Sequence, residues 1–172
     1  MMATMTAKLI AFSGVPGSGK STLAEELIGK LRAEGNRAIR VNRDDIRTLL
    51  FGAAYHDGAP VGAAEKQVSS YQQLTINHFL SQGWHVISDD TNIGKGALSG
   101  LKKLAEAHGA TFEHHLVHVD LEVALDRNKE RGESGGRRVP NFVIISMWNR
   151  QKELIGTPGA EYTKVLTKIV QN

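Results

Sequence analysis

The chain has 172 residues, of which 41% are hydrophobic and 23% charged, and this length and composition fit a single globular domain. It contains no cysteine, which excludes disulfides and thiolate metal sites and favours an intracellular, cytoplasmic setting. With 21 basic and 18 acidic side chains, the net charge of +3 permits a polyanionic partner without requiring one. No apolar run reaches the roughly 18 residues of a membrane span, and the N-terminal apolar run predicts a first strand, not a cleavable signal.

Apolar runs of strand length alternate with segments of helical periodicity. Alternation of this kind predicts an α/β fold, a parallel β-sheet flanked by helices on both faces, in one domain over residues 1–172. A glycine- and alanine-rich loop is expected between Gly52 and Ala64. The predicted strands are residues 8–12, 37–41, 84–88 and 111–120, and the predicted helices are 21–34, 44–51, 66–83, 95–109, 121–132 and 141–156.

A glycine-rich stretch, GVPGSGKST, lies between the first predicted strand and helix and fits the pattern G-x-x-x-x-G-K-[ST]. Glycines let backbone N–H groups face phosphate oxygens, and the helix beginning near Lys20 adds its positive end. Lys20 is expected on the β- and γ-phosphates, and the Ser21 hydroxyl on Mg²⁺, so the sequence predicts ATP with Mg²⁺ as cofactors. The predicted cofactor-binding residues here are Gly14, Pro16, Gly17, Ser18, Gly19, Lys20, Ser21 and Thr22.

This stretch occurs in switches, motors and kinases, and the rest of the chain favours a kinase. A guanine-binding N-K-x-D motif is absent, since Asn128 and Lys129 are followed by Glu130 and Arg131. The stretch HVISDDTN has no glutamate beside its aspartates, as a motor ATPase usually would. A compact phosphotransferase therefore remains, and it requires an acceptor site, a carboxylate for the attacking hydroxyl and cations for the transferred charge.

The stretch VNRDDIR follows the second predicted strand, where ligands of parallel sheets collect. Asp44 and Arg47 are three residues apart and share a helix face, so the carboxylate can hold a hydroxyl while the guanidinium holds a phosphate. Alternatively, Asn42, Asp44 and Asp45 cap the helix and place charge at its start. The two interpretations are compatible.

The stretch ISDDTN ends the third predicted strand. Either Asp89 or Asp90 is expected near Mg²⁺, because successive strand residues point to opposite faces; our assignment is Asp89 to the metal and Asp90 to the substrate. Thr91 and Asn92 are expected to face the acceptor. The alternative is a turn rich in hydrogen-bonding side chains.

Arg127 and Arg131 lie four residues apart on one face of the fifth predicted helix, where they can point at the nucleotide. The segment that follows, GESGGRRVP, is rich in glycine and arginine, and we expect an arginine-rich lid over about residues 131–140. A solvated basic face and an ordinary surface loop are the alternatives.

These motifs together resemble the 5′-kinase domain of phage and bacterial polynucleotide kinases, in the P-loop kinase superfamily. The resemblance spans roughly residues 9–156 and lies in GVPGSGKST, VNRDDIR, ISDDTNI and RNKERG…VPNFVIISMWNRQKELIG. It implies a P-loop kinase fold, transfer of the γ-phosphate of ATP to nucleic-acid 5′-OH ends, and a role in nucleic-acid repair. It also implies the following roles: Asp44 as general base, Arg47 on the acceptor phosphate, Arg131 on the transferred phosphoryl group, Lys20 and Ser21 on ATP and Mg²⁺, and Asp90 with Thr91 in the acceptor pocket.

The chain also departs from this pattern. Its lid is longer than in the phage members, so Arg137 and Arg138 receive no role, and residues 52–73 resemble the family only loosely. The phosphatase or ligase domains often joined to such kinases have no counterpart, which predicts a kinase standing alone. Two rivals remain: a small-metabolite kinase similar to adenylylsulfate, gluconate or shikimate kinases, and a non-catalytic nucleotide-binding module. RNA or DNA preference and oligomeric state stay open.

Overall fold

The structure is a computed structural model, and it describes residues 6–52, 62–154 and 163–167. Within these ranges, helices and strands follow one another in the alternation that the sequence predicts. The strands are β1 (Lys8–Ser13), β2 (Ala38–Val41), β3 (His85–Asp89), β4 (Thr111–His118) and β5 (Thr163–Thr167). The helices are α1 (Lys20–Ala33), α2 (Arg43–Phe51), α3 (Ala63–Ser81), α4 (Lys95–Ala107), α5 (Leu121–Glu133) and α6 (Asn141–Leu154).

The five strands form one sheet in the order β2-β3-β1-β4-β5, and every neighbouring pair is parallel. β1 is central, with Phe12 opposite Asp89 of β3 and His115 of β4. The chain therefore leaves β1 beside the ends of β3 and β4, which is where α/β sheets bind ligands. The predicted α/β class and parallel sheet are confirmed.

Side chains of β1 alternate between two hydrophobic layers, as the strand period of two requires. Leu9 and Ala11 pack with buried residues of α3 and α4 on one face. Ile10 and Phe12 pack with buried residues of α1 on the other. A third cluster, centred on Val15, joins the loop after β1 to α5 and α6. The sheet is thus covered on both sides, and the third cluster packs at its carboxyl edge.

Besides shifts of one or two residues at the ends of several elements, the structure differs from the sequence expectations in three places. β5 was not expected; it pairs with β4 at the edge of the sheet. Helix α5 continues through Glu133, so Arg131 lies in its last turn and the glycine- and arginine-rich loop comprises residues 134–140. Most of the expected loop from Gly52 to Ala64 lies outside the described residues, and α3 already begins at Ala63.

Candidate active site

The loop between β1 and α1 has the backbone that a phosphate cradle requires. Gly17 and Gly19 adopt φ values of 84° and 88°, a left-handed conformation that favours glycine. A Cβ atom on Gly17 would lie 2.5 Å from the carbonyl oxygen of Ala124 in α5. Gly19 caps α1 without a side-chain hydrogen bond, so the first N–H groups of that helix are left for an anion.

Cationic side chains surround this loop. A cavity of about 420 Å³ is lined by loop and helix residues together with Lys20, Arg127 and Arg131. Arg127 also donates from Nη1 to the carbonyl oxygen of Gly17 at 3.2 Å, which ties α5 to the loop. The structure therefore brings together the cations that the sequence assigned to the nucleotide. The cavity is lined by Gly17, Gly19, Lys20, Ser21, Thr22, Arg127 and Arg131.

Lys20 interacts electrostatically with three aspartates and one arginine of the site. Burial lowers the pKa of Lys20, an effect that Asp89, Asp90 and Asp44 oppose through their negative charge and that Arg131 reinforces. Asp89 at the end of β3, Asp90 directly after it and Asp44 of α2 are thus within electrostatic range of a single ammonium group. A bound polyphosphate would compensate this partly buried charge.

The two adjacent aspartates have different partners. Asp89 is fully buried and accepts from Arg40 Nε at 2.7 Å, whereas its Oδ1 has no hydrogen-bond partner among the described residues. Asp90 accepts from the backbone N–H of Arg43 at 2.8 Å and from Gln72 Nε2 at 2.7 Å. Burial raises the pKa of Asp90, and these two hydrogen bonds oppose that rise. The free oxygen of Asp89 is a buried acceptor suited to a cation.

Asn92 connects the ends of β3 and β1. Its φ of 41° is left-handed, and its Nδ2 donates to the carbonyl oxygen of Phe12 at 3.0 Å and to Ser88 Oγ at 3.3 Å. The Ser13 hydroxyl donates to the Asn92 carbonyl at 2.8 Å, and Gly14 N–H donates to the Thr91 carbonyl at 3.2 Å. The structure gives the Asn92 amide a positioning role in the start of the phosphate loop.

Asp44 and Arg47 lie together at the start of α2, as the helix spacing predicts. Arg47 donates from Nη1 to Asp44 Oδ1 at 2.6 Å, and the Asp44 side chain is 54% exposed. The neighbouring Asn42 caps the helix by accepting from the Asp45 backbone N–H at 3.0 Å. Asn42 is therefore the N-cap residue of α2, and the Asp44 carboxylate stays accessible to solvent.

Glu65 at the start of α3 organises the arginines of α2. It accepts from Arg47 through Nε at 2.7 Å and Nη2 at 2.9 Å, and from Arg43 Nη2 at 2.8 Å. These hydrogen bonds, that from Arg47 first, lower the pKa of Glu65 to about 2 and raise the pKa of Arg47. The arginines thus stay paired and oriented across the ordinary pH range.

Sequence reasoning missed several residues of this site. Glu65, Gln72 and Arg40 belong to no motif, and each contacts the site through a partner distant in sequence. Arg43 lies inside NRDDIR but received no role, and Arg137, whose role stayed open, donates to Asp44 Oδ1 at 3.2 Å. The motif VNRDDIR and the predicted convergence of strand ends pointed to this region, but not to these side chains.

Residues 9–158 match the AAA domain. The chain belongs to the AAA domain family. Its fold is that of the P-loop kinases, with a nucleotide-binding phosphate loop between β1 and α1. The domain type to which the sequence motifs pointed is thereby confirmed.

Three curated proteins are similar to this chain in sequence. A putative bifunctional polynucleotide kinase/RNA ligase of Autographa californica nuclear polyhedrosis virus is 31% identical over 138 residues, covering 73% of this chain and 18% of the relative. An L-seryl-tRNA(Sec) kinase of Methanococcus maripaludis is 28% identical over 156 residues, covering 90% and 54%. A KTI12 homolog of Bos taurus is 34% identical over 166 residues, covering 92% and 42%. The chain thus spans from about a fifth to about half of these relatives' lengths.

Two solved structures have a fold similar to that of this chain. A chain of the Pnkp1/Rnl/Hen1 RNA repair complex has a TM-score of 0.74 and 27% identity, covering 86% of this chain and 45% of that one. Kti12 of Chaetomium thermophilum in complex with ADP-AlF3 has a TM-score of 0.72 and 20% identity, covering 95% and 89%. Within the part of the chain that the structure describes, no helix has the length and apolarity to cross a membrane.

Proposed function

We propose that this domain transfers the γ-phosphate of ATP to the 5′-hydroxyl end of a polynucleotide. The observation that carries the proposal is the Asp44–Arg47 pair, which presents a carboxylate beside a guanidinium, with the carboxylate within electrostatic range of Lys20. A 5′-terminal nucleotide offers the two matching groups, a hydroxyl and a neighbouring phosphate. The likeness to the viral polynucleotide kinase/RNA ligase supports this choice of acceptor.

The residues divide the chemistry between them. Asp44 accepts the proton of the attacking hydroxyl, and its exposure leaves room for that hydroxyl. Arg47, held by Glu65, binds the first phosphate of the acceptor strand and so fixes the hydroxyl in line. Lys20 and Arg131 balance the negative charge that develops on the transferred group, while Arg127 holds the loop in place. Thr91 and Asp90 border the acceptor side.

Ser21 and Asp89 fit the requirements of Mg²⁺. Both provide oxygen, the donor that this ion prefers, and Asp89 Oδ1 is a buried acceptor that lacks a partner among the described residues. When bound, Mg²⁺ would neutralise phosphate charge and orient the triphosphate. We therefore assign the metal to Ser21 and Asp89.

An acceptor panel tests the proposed function. The protein is incubated with γ-labelled ATP and either a 5′-OH oligonucleotide, as RNA and as DNA, or the same oligonucleotide with a 5′-phosphate as the matched control. Label is expected only on the 5′-OH oligonucleotides. Transfer to adenylylsulfate or gluconate, with none to the oligonucleotides, would replace the proposal by a small-metabolite kinase.

A second acceptor class is favoured by one observation. The L-seryl-tRNA(Sec) kinase matches across 90% of this chain, more than the 73% matched by the viral enzyme. A hydroxyl carried on a tRNA presents both an alcohol and nearby phosphates, so the Asp44–Arg47 pair suits it as well. Seryl-tRNA therefore belongs in the panel, and label on it without label on 5′-OH ends would select this function.

A further inference from the structure

The loop of residues 134–140 folds back onto the helix that precedes it. The backbone N–H of Gly136 donates to the carbonyl oxygen of Arg131 at 2.9 Å, and that of Gly135 donates to the carbonyl oxygen of Gly132 at 3.2 Å. A Cβ atom on Gly136 would lie 2.7 Å from Arg131 Cγ, so the loop backbone passes directly against this side chain of α5. The start of the loop is thus anchored to the last turn of α5.

Asn128 of α5 anchors the other end of the loop. Its side chain is fully buried, its Nδ2 donates to the carbonyl oxygen of Val139 at 2.7 Å, and its Oδ1 accepts from the Val139 N–H at 2.9 Å. One amide side chain thereby satisfies both backbone groups of one residue, as a paired strand would. A slip of the loop by one residue would break both hydrogen bonds, so Asn128 sets the register of the loop on the helix.

The two arginines between these anchors point in different directions. Arg138 lies along α5, where a Cβ atom on Gly132 would be 2.9 Å from Arg138 Cβ and 3.0 Å from its Cδ. Arg137 instead donates from Nη1 to Asp44 Oδ1 at 3.2 Å. Both partners of this ion pair are about half exposed, and such pairs contribute little free energy of their own. The direction of Arg137 therefore depends on the anchored backbone that carries it.

We propose that Asn128 is a positioning residue that places Arg137 at the Asp44 carboxylate. It acts through the backbone of Val139, two residues after Arg137. This inference rests on the proposed function, in which Asp44 accepts the proton of the attacking hydroxyl. The same helix carries the arginines of the nucleotide cavity, so α5 serves both the nucleotide and the proposed base.

The first variant is Asn128→Ala, which removes both hydrogen bonds to Val139. Gln151→Ala is the matched control, because Gln151 is also a fully buried helix amide and its Nε2 is hydrogen-bonded to His118 Nδ1 at 2.8 Å. Both substitutions remove a buried amide, and only the first touches the loop. Circular dichroism verifies that each variant folds.

A second variant leaves every buried group in place. Two glycines are inserted between Gly136 and Arg137, which lengthens the exposed backbone between the anchors while the hydrogen-bonding groups of both anchors remain. The longer backbone no longer fixes the direction of Arg137. This insertion is therefore expected to reproduce the kinetic effect of Asn128→Ala without loss of a buried amide.

Transfer to a 5′-OH oligonucleotide is measured for Asn128→Ala, Arg137→Ala and the double variant. Each single variant is expected to lower kcat/KM about tenfold, and the double variant should lose no more than either, because both act through one contact. The Kd of ADP with Mg²⁺ should change less than about twofold, since the nucleotide cavity is unaltered. Gln151→Ala should keep the wild-type kcat/KM. A general loosening of the domain would instead weaken ADP binding and add its effect to that of Arg137→Ala.

NMR follows the Arg137 guanidinium without turnover. An ion pair restricts rotation of its Nη groups, so Asp44→Asn defines the signal of the released side chain. Asn128→Ala is expected to give the released signal and to exchange the Val139 amide proton at least about tenfold faster, while that of Gly136 stays protected. Gln151→Ala should give the wild-type signals.

These measurements distinguish the positioning role from the proposed function. An Arg137 signal that Asn128→Ala leaves unchanged, or losses of kcat/KM that add in the double variant, overturn the positioning role and keep the function. Loss of the paired signal in Asn128→Ala, in a protein that transfers nothing to 5′-OH ends, keeps the placement of Arg137 and overturns the function. If Asn128→Ala does not fold, an unchanged kcat/KM in the glycine insertion overturns the positioning role, and a tenfold loss that Arg137→Ala does not deepen supports it. A wild-type protein with neither the paired signal nor transfer overturns both.

Discussion

Arg137 Nη1 donates to Asp44 Oδ1 at 3.2 Å, although the two residues are 93 positions apart in the chain. The contact joins the loop of residues 134–140 to the start of α2. Asp44 also accepts from Arg47, so one carboxylate oxygen is shared by two guanidinium groups. Arg137, which no motif assigned, is therefore placed at the proposed base.

Substitution of Arg137 by alanine is expected to lower kcat/KM for a 5′-OH oligonucleotide by about tenfold. The reason is the loss of a cation where acceptor and transferred phosphate meet. Both side chains are about half exposed, so the free energy of unfolding should change by less than about 1 kcal/mol. Arg138→Ala is the control. The measurement is kcat/KM from steady-state kinetics at increasing salt concentrations. Equal losses in both variants would contradict a specific role for Arg137.

Substitution of Asp44 by asparagine should reduce kcat about 10²–10⁴-fold, because the amide cannot accept the hydroxyl proton. The affinity for ATP should remain close to that of the wild type, since the carboxylate acts on the acceptor. Asp45→Asn is the matched control: Asp45 is the next residue of α2 and is paired with Arg40 instead. Transfer assays and nucleotide titration measure the two effects. Unaltered turnover in Asp44→Asn would remove this carboxylate from the mechanism.

Substitution of Gly17 by alanine should weaken nucleotide binding and destabilise the fold. The left-handed backbone costs alanine about 1–2 kcal/mol, and the contact 2.5 Å from the Ala124 carbonyl adds about 1–3 kcal/mol of overpacking. Gly35→Ala isolates the backbone contribution, because Gly35 has the same φ of 84° with nothing within 4 Å of its Cβ. Urea unfolding and nucleotide titration are the measurements. Matching losses of stability would show that the Ala124 contact is unimportant.

Substitution of Glu65 by glutamine is expected to raise KM for the acceptor about tenfold, because Arg47 and Arg43 lose the carboxylate that orients them. The pKa of Glu65 is depressed from its ordinary value of 4.5 to about 2, so its stabilising effect is complete above pH 4.5 and is lost as the pH falls towards 2. The difference in unfolding free energy between wild type and Glu65→Gln should follow that course.

Denaturation curves at several pH values measure the difference, and Glu106→Gln serves as the control at a widely separated, exposed pair. A wild-type advantage that is constant between pH 2 and 5 would contradict the depressed pKa of Glu65.

The amino-acid sequence alone determined the α/β class, the phosphate loop and the pairing of Asp44 with Arg47. Each depends on residues close together in the chain: strand and helix periods, glycines at positions of positive φ, and a three-residue spacing on one helix. The geometry of such features is set by neighbouring residues in the chain. The order of strands and helices then predicts which strand ends lie close together.

Only the tertiary structure decided which distant side chains share a partner. Asp89 is hydrogen-bonded to Arg40, and Asp90 to Gln72. The Asn92 amide donates to the carbonyl oxygen of Phe12 in β1. Glu65 and Arg137 contact the Asp44–Arg47 pair of α2. The tertiary structure also created a cleft between α3 and α4, which joins motif residues such as Arg43 and Asp90 to helix residues that belong to no motif. Contacts of this kind depend on the packing of whole helices against the sheet, and no spacing along the chain encodes them.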